Sequence, residues 1–132
     1  MYEILHNDEL IAKIIRPDDW SKGLTFFSDN DQFVQVGTWW YDKGHKLANH
    51  YHLDYERTAT RTQECVYVVS GSMNMKFFSI NQEFLCEHVL EQGELCIILS
   101  GGHGYEILQD DTKIIETKNG PFFSVEKDKV KF

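Results

Sequence analysis

Residues Glu64–Gly71, with the sequence ECVYVVSG, show a strand pattern that is followed directly by a turn. Its valines and tyrosine suit a pleated strand, and Ser70-Gly71 has the chemistry that reverses a chain. A second strand-like run, Met73–Ser79, follows at once. We therefore predict two strands joined by a turn, with Glu64 at the start of the first.

Outward from this stretch, short strand-like runs alternate with polar or glycine-bearing turns. The other predicted strands are Phe33–Tyr41, Asn49–Leu53, Glu83–Leu90, Leu95–Leu99, Tyr105–Leu108 and Lys113–Thr117. Near the N-terminus, Glu9–Arg16 has its aliphatic residues at helical spacing, but its isoleucines suit an edge strand as well, and we interpret it as a strand. Eight short strands from Phe33 onward predict an all-β fold built as a closed or double-sheet barrel.

The chain has the size of one domain, and its composition is that of a globular protein. It contains 132 residues, of which 42% are hydrophobic and 14% aromatic, with only two prolines. Such a chain can bury one continuous core without disulfides or structural metals. We predict a single domain over residues 1–132, with a core barrel at about 33–117 and the N-terminal segment 1–32 packed on it.

The charge balance argues against two classes of partner. Lys and Arg number 13 against 21 Asp and Glu, which gives a formal net charge of −8. A field of this sign repels phosphate backbones and anionic lipid surfaces. The longest apolar run, Leu95–Leu99, is far shorter than the roughly 20 residues that span a bilayer. We predict no nucleic-acid partner and no membrane partner.

The cysteines and the N-terminus predict a cytoplasmic location. Cys65, Cys86 and Cys96 form no close pair and show no metal-binding spacing, which fits reduced thiols in a reducing compartment. No basic segment precedes an apolar run at the N-terminus. Cys65 and Cys96 lie in strand-like runs, where a free cysteine behaves as a small apolar residue.

Two histidines in NHYHL are the first candidates for chemistry. His50 and His52 are two residues apart, so on a strand both imidazoles project to the same side. Such a pair can converge on one metal ion. Pairs of this kind are also common as exposed or hydrogen-bonded histidines, and that interpretation stays open.

Glu64 strengthens the metal interpretation. It shares a strand face with Val66 and Val68, so its carboxylate is predicted to point into the barrel. A buried carboxylate needs a cation or hydrogen-bond donors to compensate it, and a metal is one such cation. The alternative is that Glu64 lies at a frayed strand end and pairs with Arg57 or Arg61.

His103 is the last candidate ligand. It lies in LSGGHGYEI between Gly102 and Gly104, and glycines permit a sharp return that can present an imidazole inward. It can equally be a turn histidine that faces water. Three histidines and one carboxylate suit a divalent transition metal, namely iron, manganese, nickel or zinc, and leave positions open for substrate or water.

These residues resemble the motifs of the cupin superfamily. Gly44, His50, His52, Glu64 and Gly71 follow the order of the first cupin motif, and Gly93, Gly101 and His103 resemble the second. The resemblance covers roughly residues 33–117. It implies a double-stranded β-helix, also called a jelly-roll barrel, in which His50, His52, Glu64 and His103 bind the metal.

The sequence departs from the cupin pattern around these ligands. The interval between His52 and Glu64 is longer than usual in the family, and Glu56 stands at the usual spacing as a rival ligand. We favour Glu64 because the following residues and Gly71 fit the motif only there. The proline of the second motif is absent, and His103 lies one position early.

A narrower likeness concerns small single-domain cupins that accompany bacterial surface-polysaccharide and nucleotide-sugar enzymes. It rests on the segments ERTATRTQECVYVVSG, GELCIILSGGHGYEIL and IIETKNGPFF. It implies a carbohydrate-related setting and a small-molecule ligand, with sugar-derived compounds as one class.

Three functions follow from these motifs. The first is a metal-dependent enzyme of isomerase, epimerase or dioxygenase type, with the metal as Lewis acid or oxygen activator. The second is a non-catalytic module that binds metal or sugar. The third is a metal-independent sugar isomerase or epimerase that works by proton transfer. Tyr105 and Glu106, which follow His103, are the candidate catalytic residues.

Aromatic content predicts assembly. Trp39 and Trp40 are adjacent in one predicted strand, so one is expected in the core and the other outside. The outward tryptophan or the pair Phe77-Phe78 can mark a dimer surface, since monomers seldom expose large apolar patches. We predict a homodimer.

Overall fold

The computed structural model describes all residues, 1–132, and consists mainly of β-strands. The strands are β1 (Tyr2–His6), β2 (Glu9–Ile15), β3 (Gly23–Phe26), β4 (Gly37–Trp40), β5 (Glu64–Ser70), β6 (Ser72–Phe78), β7 (Phe84–Glu91), β8 (Leu95–Ile98), β9 (Gly102–Ile107) and β10 (Lys113–Lys118). Two short helical elements complete the chain, a 3-10 turn at Pro17–Asp19 and a helix α1 at Val125–Asp128. The predicted all-β class is confirmed. No helix has the length and apolar character needed to cross a membrane.

The strands form two facing sheets and a separate ribbon. The larger sheet has the order β1-β2-β8-β5-β10, the smaller one β7-β6-β9, and β3 pairs only with β4. All pairings are antiparallel. Strands β9 and β10 therefore lie at sheet edges, and the two sheets do not close into a barrel.

The chain crosses from the larger sheet to the smaller one at the turn between β5 and β6. Gly71 has a φ of +78°, in the left-handed region that favours glycine. A Cβ at this position would collide with Thr112. Thus β5 pairs with β8 and β10, whereas β6 pairs with β7 and β9. The two predicted strands are confirmed, but they do not pair with each other.

Successive side chains of β5 pack into two different hydrophobic cores, one on each face of the larger sheet. Val66 and Val68 lie in the core between the two sheets, while Cys65 and Tyr67 face a second core on the other side of the larger sheet. The second core is covered by the segment that leads into and out of the ribbon. The strand register predicted for Glu64–Val69 is confirmed, because residues at odd and even positions pack on opposite faces.

The N-terminal residues form an integral part of the larger sheet. Strand β2 pairs with β8, and β1 pairs with β2. The predicted strand at Glu9–Arg16 is confirmed, but β1 was not predicted. Its signal is the pair Asn7-Asp8, whose φ values of 50° and 64° build the type of two-residue turn that joins antiparallel strands.

Two expectations about the middle of the chain are wrong. The predicted strand Asn49–Leu53 is an exposed, irregular segment, because no neighbouring strand provides hydrogen-bond partners for it. The prediction that one of the two adjacent tryptophans is buried also fails, since Trp39 and Trp40 are 56% and 46% exposed. They lie on the β3–β4 ribbon, and alternation buries a residue only where another layer covers the strand.

Gln63 attaches the segment before β4 to the larger sheet. Its side-chain oxygen accepts hydrogen bonds from the backbone N–H of Phe33 at 2.7 Å and of Val34 at 3.2 Å. Its amide nitrogen donates to the carbonyl of Leu99 at 3.2 Å. Gln63 is buried, so these backbone groups have no ready replacement partner.

We expect Gln63→Ala to lower the free energy of unfolding by about 2 kcal/mol or more, because two backbone N–H groups lose their acceptor. Urea unfolding of the two proteins measures the difference. Gln92→Ala is the control, since Gln92 is exposed in a turn and its replacement is expected to change stability by less than about 0.5 kcal/mol. Equal effects of the two substitutions would contradict the role assigned to Gln63.

Candidate functional site

Glu64 is a buried carboxylate at the start of β5. The residue is only 6% exposed, and its side chain lies on the same face as Val66 and Val68, which face the core between the sheets. This inward position agrees with the strand alternation in the sequence. A carboxylate here requires hydrogen-bond donors or a cation, and the structure provides donors.

The donors come from β9 in the opposite sheet. His103 and Tyr105 lie directly across from Phe77 and Met75 of β6, so they share the inward face. The Tyr105 hydroxyl donates to Glu64 Oε1 at 2.8 Å, and His103 Nε2 lies 2.8 Å from the same oxygen. We call these three residues the Glu64 cluster.

The glycines before His103 direct it inward. Gly101 has a φ of +72°, and a Cβ there would collide with the backbone carbonyl of Phe78. The chain can therefore turn tightly against β6 and enter β9 at Gly102. The sharp return predicted for this glycine cluster is confirmed, and it presents the His103 imidazole to the interior.

Hydrogen bonding determines the protonation pattern of the cluster. Burial favours the neutral form of Glu64, but the hydrogen bonds from His103 and Tyr105 and the charge of Lys118 outweigh it and lower the Glu64 pKa below 4.5. Burial, followed by the negative charge of Glu64, raises the pKa of Tyr105 well above 10.0. Tyr105 is therefore a neutral donor and Glu64 an ionised acceptor.

The histidine tautomer follows from this pattern. Because the ionised Glu64 can only accept, His103 Nε2 carries the proton in the contact. His103 Nδ1 is buried and has no hydrogen-bond partner. Both hydrogen bonds reach Oε1 of Glu64, so its second oxygen is free to accept another donor. The cluster thus has unused acceptor capacity, which suits a ligand donor or a cation.

A cleft opens beside the cluster between the edges of the two sheets. Its volume is about 270 Å³. Its lining consists of inward-facing side chains from β5, β6, β9 and β10, namely Val66, Met73, Tyr105, Ile107, Ile114 and Glu116. Tyr105 belongs both to this lining and to the Glu64 cluster. A small molecule in the cleft would therefore contact the polar cluster and an apolar wall together.

Charged residues of β10 border the same region. Lys118 lies across from Glu64 in the β5–β10 ladder, and Glu116 lies across from Val66. Lys118 Nζ approaches Glu116 Oε1 at 3.3 Å, so its charge is already paired. We did not predict a role for these residues from the sequence, although alternation in Lys113–Thr117 puts Ile114 and Glu116 on one face.

The other predicted metal ligands lie outside the cluster. His50 and His52 are exposed in the irregular segment before β5, with ring centroids 5.3 Å apart. His50 Nδ1 lies 3.1 Å from the carbonyl oxygen of Ala48. No group of three or more His, Cys, Asp or Glu side chains converges in a way that could hold a metal ion. The structure thus brings together Glu64 and His103 of the four predicted ligands.

The remaining candidates occupy other surfaces. Glu106 alternates with Tyr105 on β9 and faces away from the cleft, whereas the rival ligand Glu56 is exposed in the irregular segment. Arg57 stacks on the ring of Tyr55, and Arg61 contacts Glu9 and Ser100. Neither arginine pairs with Glu64.

Comparison with known proteins gives no family for this chain. No family model, no curated protein and no solved structure matches it.

We expect Tyr105→Phe to lower the free energy of unfolding of metal-free protein by about 1 to 1.5 kcal/mol at neutral pH. This is the low end of the range for a bond to a charged group, because Tyr105 is 42% exposed. The folded pKa of Glu64 lies below its ordinary value of 4.5, so the contribution is complete above pH 4.5 and is lost as the pH falls through the folded pKa.

Urea unfolding of wild type and Tyr105→Phe at a series of pH values, with a chelator present, measures this difference. Tyr67→Phe is the matched control, because Tyr67 packs on the second core at the opposite face of the larger sheet. A difference between wild type and Tyr105→Phe that stays constant into the acid range would show that the hydroxyl does not stabilise the Glu64 carboxylate.

Proposed function

We propose that the chain is a metal-binding protein of cupin type that acts on a small molecule in the cleft beside the Glu64 cluster. One observation carries the proposal: Glu64 and His103 come from opposite sheets and meet in the interior, although they are far apart in the sequence. The two facing sheets are then the open form of a jelly roll. The buried but unpartnered Nδ1 of His103 and the free oxygen of Glu64 also support a site that is incomplete without a ligand.

In the conformation described, the donor set fits a metal only in part, because two of the four proposed ligands converge. We therefore derive no reaction step through the metal. The residues that would hold it are His50, His52, Glu64 and His103, and Fe, Mn, Ni and Zn are the metals that suit this set. When bound, the ion would supply Lewis-acid chemistry or oxygen activation.

A chain segment that binds at the free edge of β9 would complete the set of metal ligands. Strand β9 pairs with β6 on one side only, so its other side has unpaired backbone N–H and C=O groups. The segment Asn49–Leu53 has a strand pattern, is exposed, and includes both histidines. We propose that it adds to this edge when metal binds, with His50 and His52 on the inward face.

We expect reconstituted wild-type protein to hold about one transition-metal ion per chain, and Glu64→Gln to weaken metal binding by at least about 10-fold to 100-fold, because a direct ligand loses its charge. Glu56→Gln is the matched control and is expected to have little effect. Elemental analysis gives the stoichiometry, and calorimetric titration gives the affinities. His50→Ala and His52→Ala are expected to lose metal as well.

Two outcomes would contradict this prediction. One is wild-type protein that takes up no metal after reconstitution with iron, nickel, manganese and zinc. The other is a larger loss of affinity in Glu56→Gln than in Glu64→Gln. Hydrogen exchange tests the edge separately: the outer amides of β9 should exchange more slowly when metal is added to wild type, but not in His50→Ala.

A second candidate is metal-independent proton transfer by His103 and Tyr105, as in an isomerase or epimerase. It is favoured by the contact of both side chains with the Glu64 carboxylate. It ranks second because burial raises the Tyr105 pKa, which moves the phenol away from the neutral range where general acids and bases work best. Full activity in metal-free protein would support this candidate.

A non-catalytic binding module is the third candidate. It shares the cleft and the cluster with the enzyme, because a binding site alone does not establish turnover. A metal-loaded protein that binds a ligand and returns it unchanged would support this candidate.

We propose a cytoplasmic setting for the chain. The unpaired thiols Cys65, Cys86 and Cys96 support it, because disulfides are rare in the cytoplasm.

We also propose a homodimer through the β3–β4 ribbon. A two-stranded sheet is marginally stable by itself, and this one exposes Leu24, Phe26 and Trp39 on one face and Trp40 on the other. The alternative surface, Phe77-Phe78, is less available because Phe77 is fully buried and Phe78 packs against Phe84 and Phe132. A second copy of the same ribbon would cover the face with Leu24, Phe26 and Trp39.

We expect Trp39→Glu to weaken dimerisation by at least about tenfold, because it introduces a charge into an apolar contact. Light scattering across a micromolar concentration series measures the effect. Tyr51→Glu is the control, since Tyr51 is an exposed aromatic residue outside the ribbon. A wild-type protein that is monomeric throughout the series would contradict the proposed dimer.

A further inference from the structure

The cleft has a mixed lining whose chemistry limits the ligand. Val66, Met73, Ile107 and Ile114 form its apolar wall, while Tyr105 and the Glu64 cluster lie at its polar end. Ile107 faces inward across from Met73 but is 57% exposed, because no strand covers this edge. A ligand with an apolar body would bury this surface and gain the corresponding free energy of transfer.

The charges around the cleft do not suit an anion. Glu116 contributes a carboxylate to the lining, the buried carboxylate of Glu64 lies behind Tyr105, and the neighbouring ammonium group of Lys118 already contacts Glu116. No arginine lines the cleft, and Arg61 lies in a different cleft with Glu9 and Ser100. A phosphate or carboxylate group placed here would lie near two carboxylates and one ammonium group, which is already paired with Glu116, so no free cation would compensate its charge.

The volume of the cleft limits the ligand as well. At about 270 Å³ it falls below the roughly 300–1,000 Å³ of sites that take drug-sized molecules. A nucleotide-sugar has two charged phosphates and a polar body, so it matches neither the wall nor the charges.

We propose that the cleft takes a neutral small molecule with an apolar body and one hydroxyl group, which lies at the end of the cleft that Tyr105 lines. The proposal rests on the proposed function to the extent that both place the ligand beside the Glu64 cluster. A hydroxyl of the ligand can donate to the hydroxyl oxygen of Tyr105, whose own proton is donated to Glu64, and the apolar wall contacts the rest of the molecule.

The test compares 2-naphthol, which is neutral at pH 7, with 2-naphthoate, which has the same ring system and a negative charge. Calorimetric titration is carried out on chelator-treated protein, so that a metal ion cannot attract the carboxylate. We expect 2-naphthol to bind at least about tenfold more tightly, because the anion meets two carboxylates. UDP-glucose is expected not to displace it.

Two matched variants assign the binding to this cleft. Ile107→Asn is expected to weaken 2-naphthol binding about tenfold, because it puts a polar amide into the apolar wall. Ile115→Asn is the control, since Ile115 is 53% exposed but lies on β10 across from Tyr67, at the other face of the larger sheet. It is expected to leave the affinity unchanged.

Three results would overturn the proposal: no binding of 2-naphthol at millimolar concentration, 2-naphthoate binding equal to or tighter than that of 2-naphthol, or equal effects of the two asparagine variants. Metal uptake by wild type and by Ile107→Asn is measured in parallel. If wild type binds no metal, the proposed function is overturned and the ligand proposal stands. If 2-naphthol binding fails one of the three tests above, the ligand proposal is overturned and the proposed function stands.

Discussion

The carboxylate of Glu64 is the constraint on which the interior of this protein depends. It lies at the start of a strand whose other inward residues are valines, so the charge must be compensated within the core. His103 and Tyr105 compensate it from the opposite sheet through contacts of 2.8 Å. Removing either donor would leave a buried charge with fewer partners, so the contact both joins the sheets and sets the chemistry of the cleft.

The larger sheet is covered by packed side chains on both of its faces. Val66, Cys96 and Ile98 pack between the two sheets, while Leu95 and Ile97 pack against the second core. Neighbouring residues of β8 thus belong to different cores. The smaller sheet lacks a partner for the outer side of β9, and the cleft opens at this uncovered edge. The site therefore lies where the sandwich is least complete.

Three surfaces of the chain share this lack of a covering partner. The exposed segment with His50 and His52, the free edge of β9 and the uncovered ribbon with Trp39 and Trp40 all have groups without protein partners. Unpaired edges and apolar patches of this kind are normally covered by other chain segments, ligands or subunits. The proposed metal, the proposed ligand and the proposed second copy would cover different parts of them.

Strands with regular alternation of side chains could be predicted from the sequence. The positions of Glu64, Val66 and Val68 on one face could be predicted because side chains alternate along any strand, whatever its neighbours. The inward turn before His103 could be predicted because glycine permits a backbone that other residues avoid. Half of the proposed ligand set, Glu64 and His103, follows from these two local rules.

Local sequence patterns do not show which segments pair as strands or which distant side chains contact each other; these depend on the tertiary structure. Asn49–Leu53 has the pattern but pairs with no neighbour, and Trp39 and Trp40 alternate without a layer to bury either one. The bond from Tyr105 to Glu64 depends on how two sheets face each other, which no local pattern contains. Strand pairing and burial are relations between distant segments, so they depend on the packing of the whole chain.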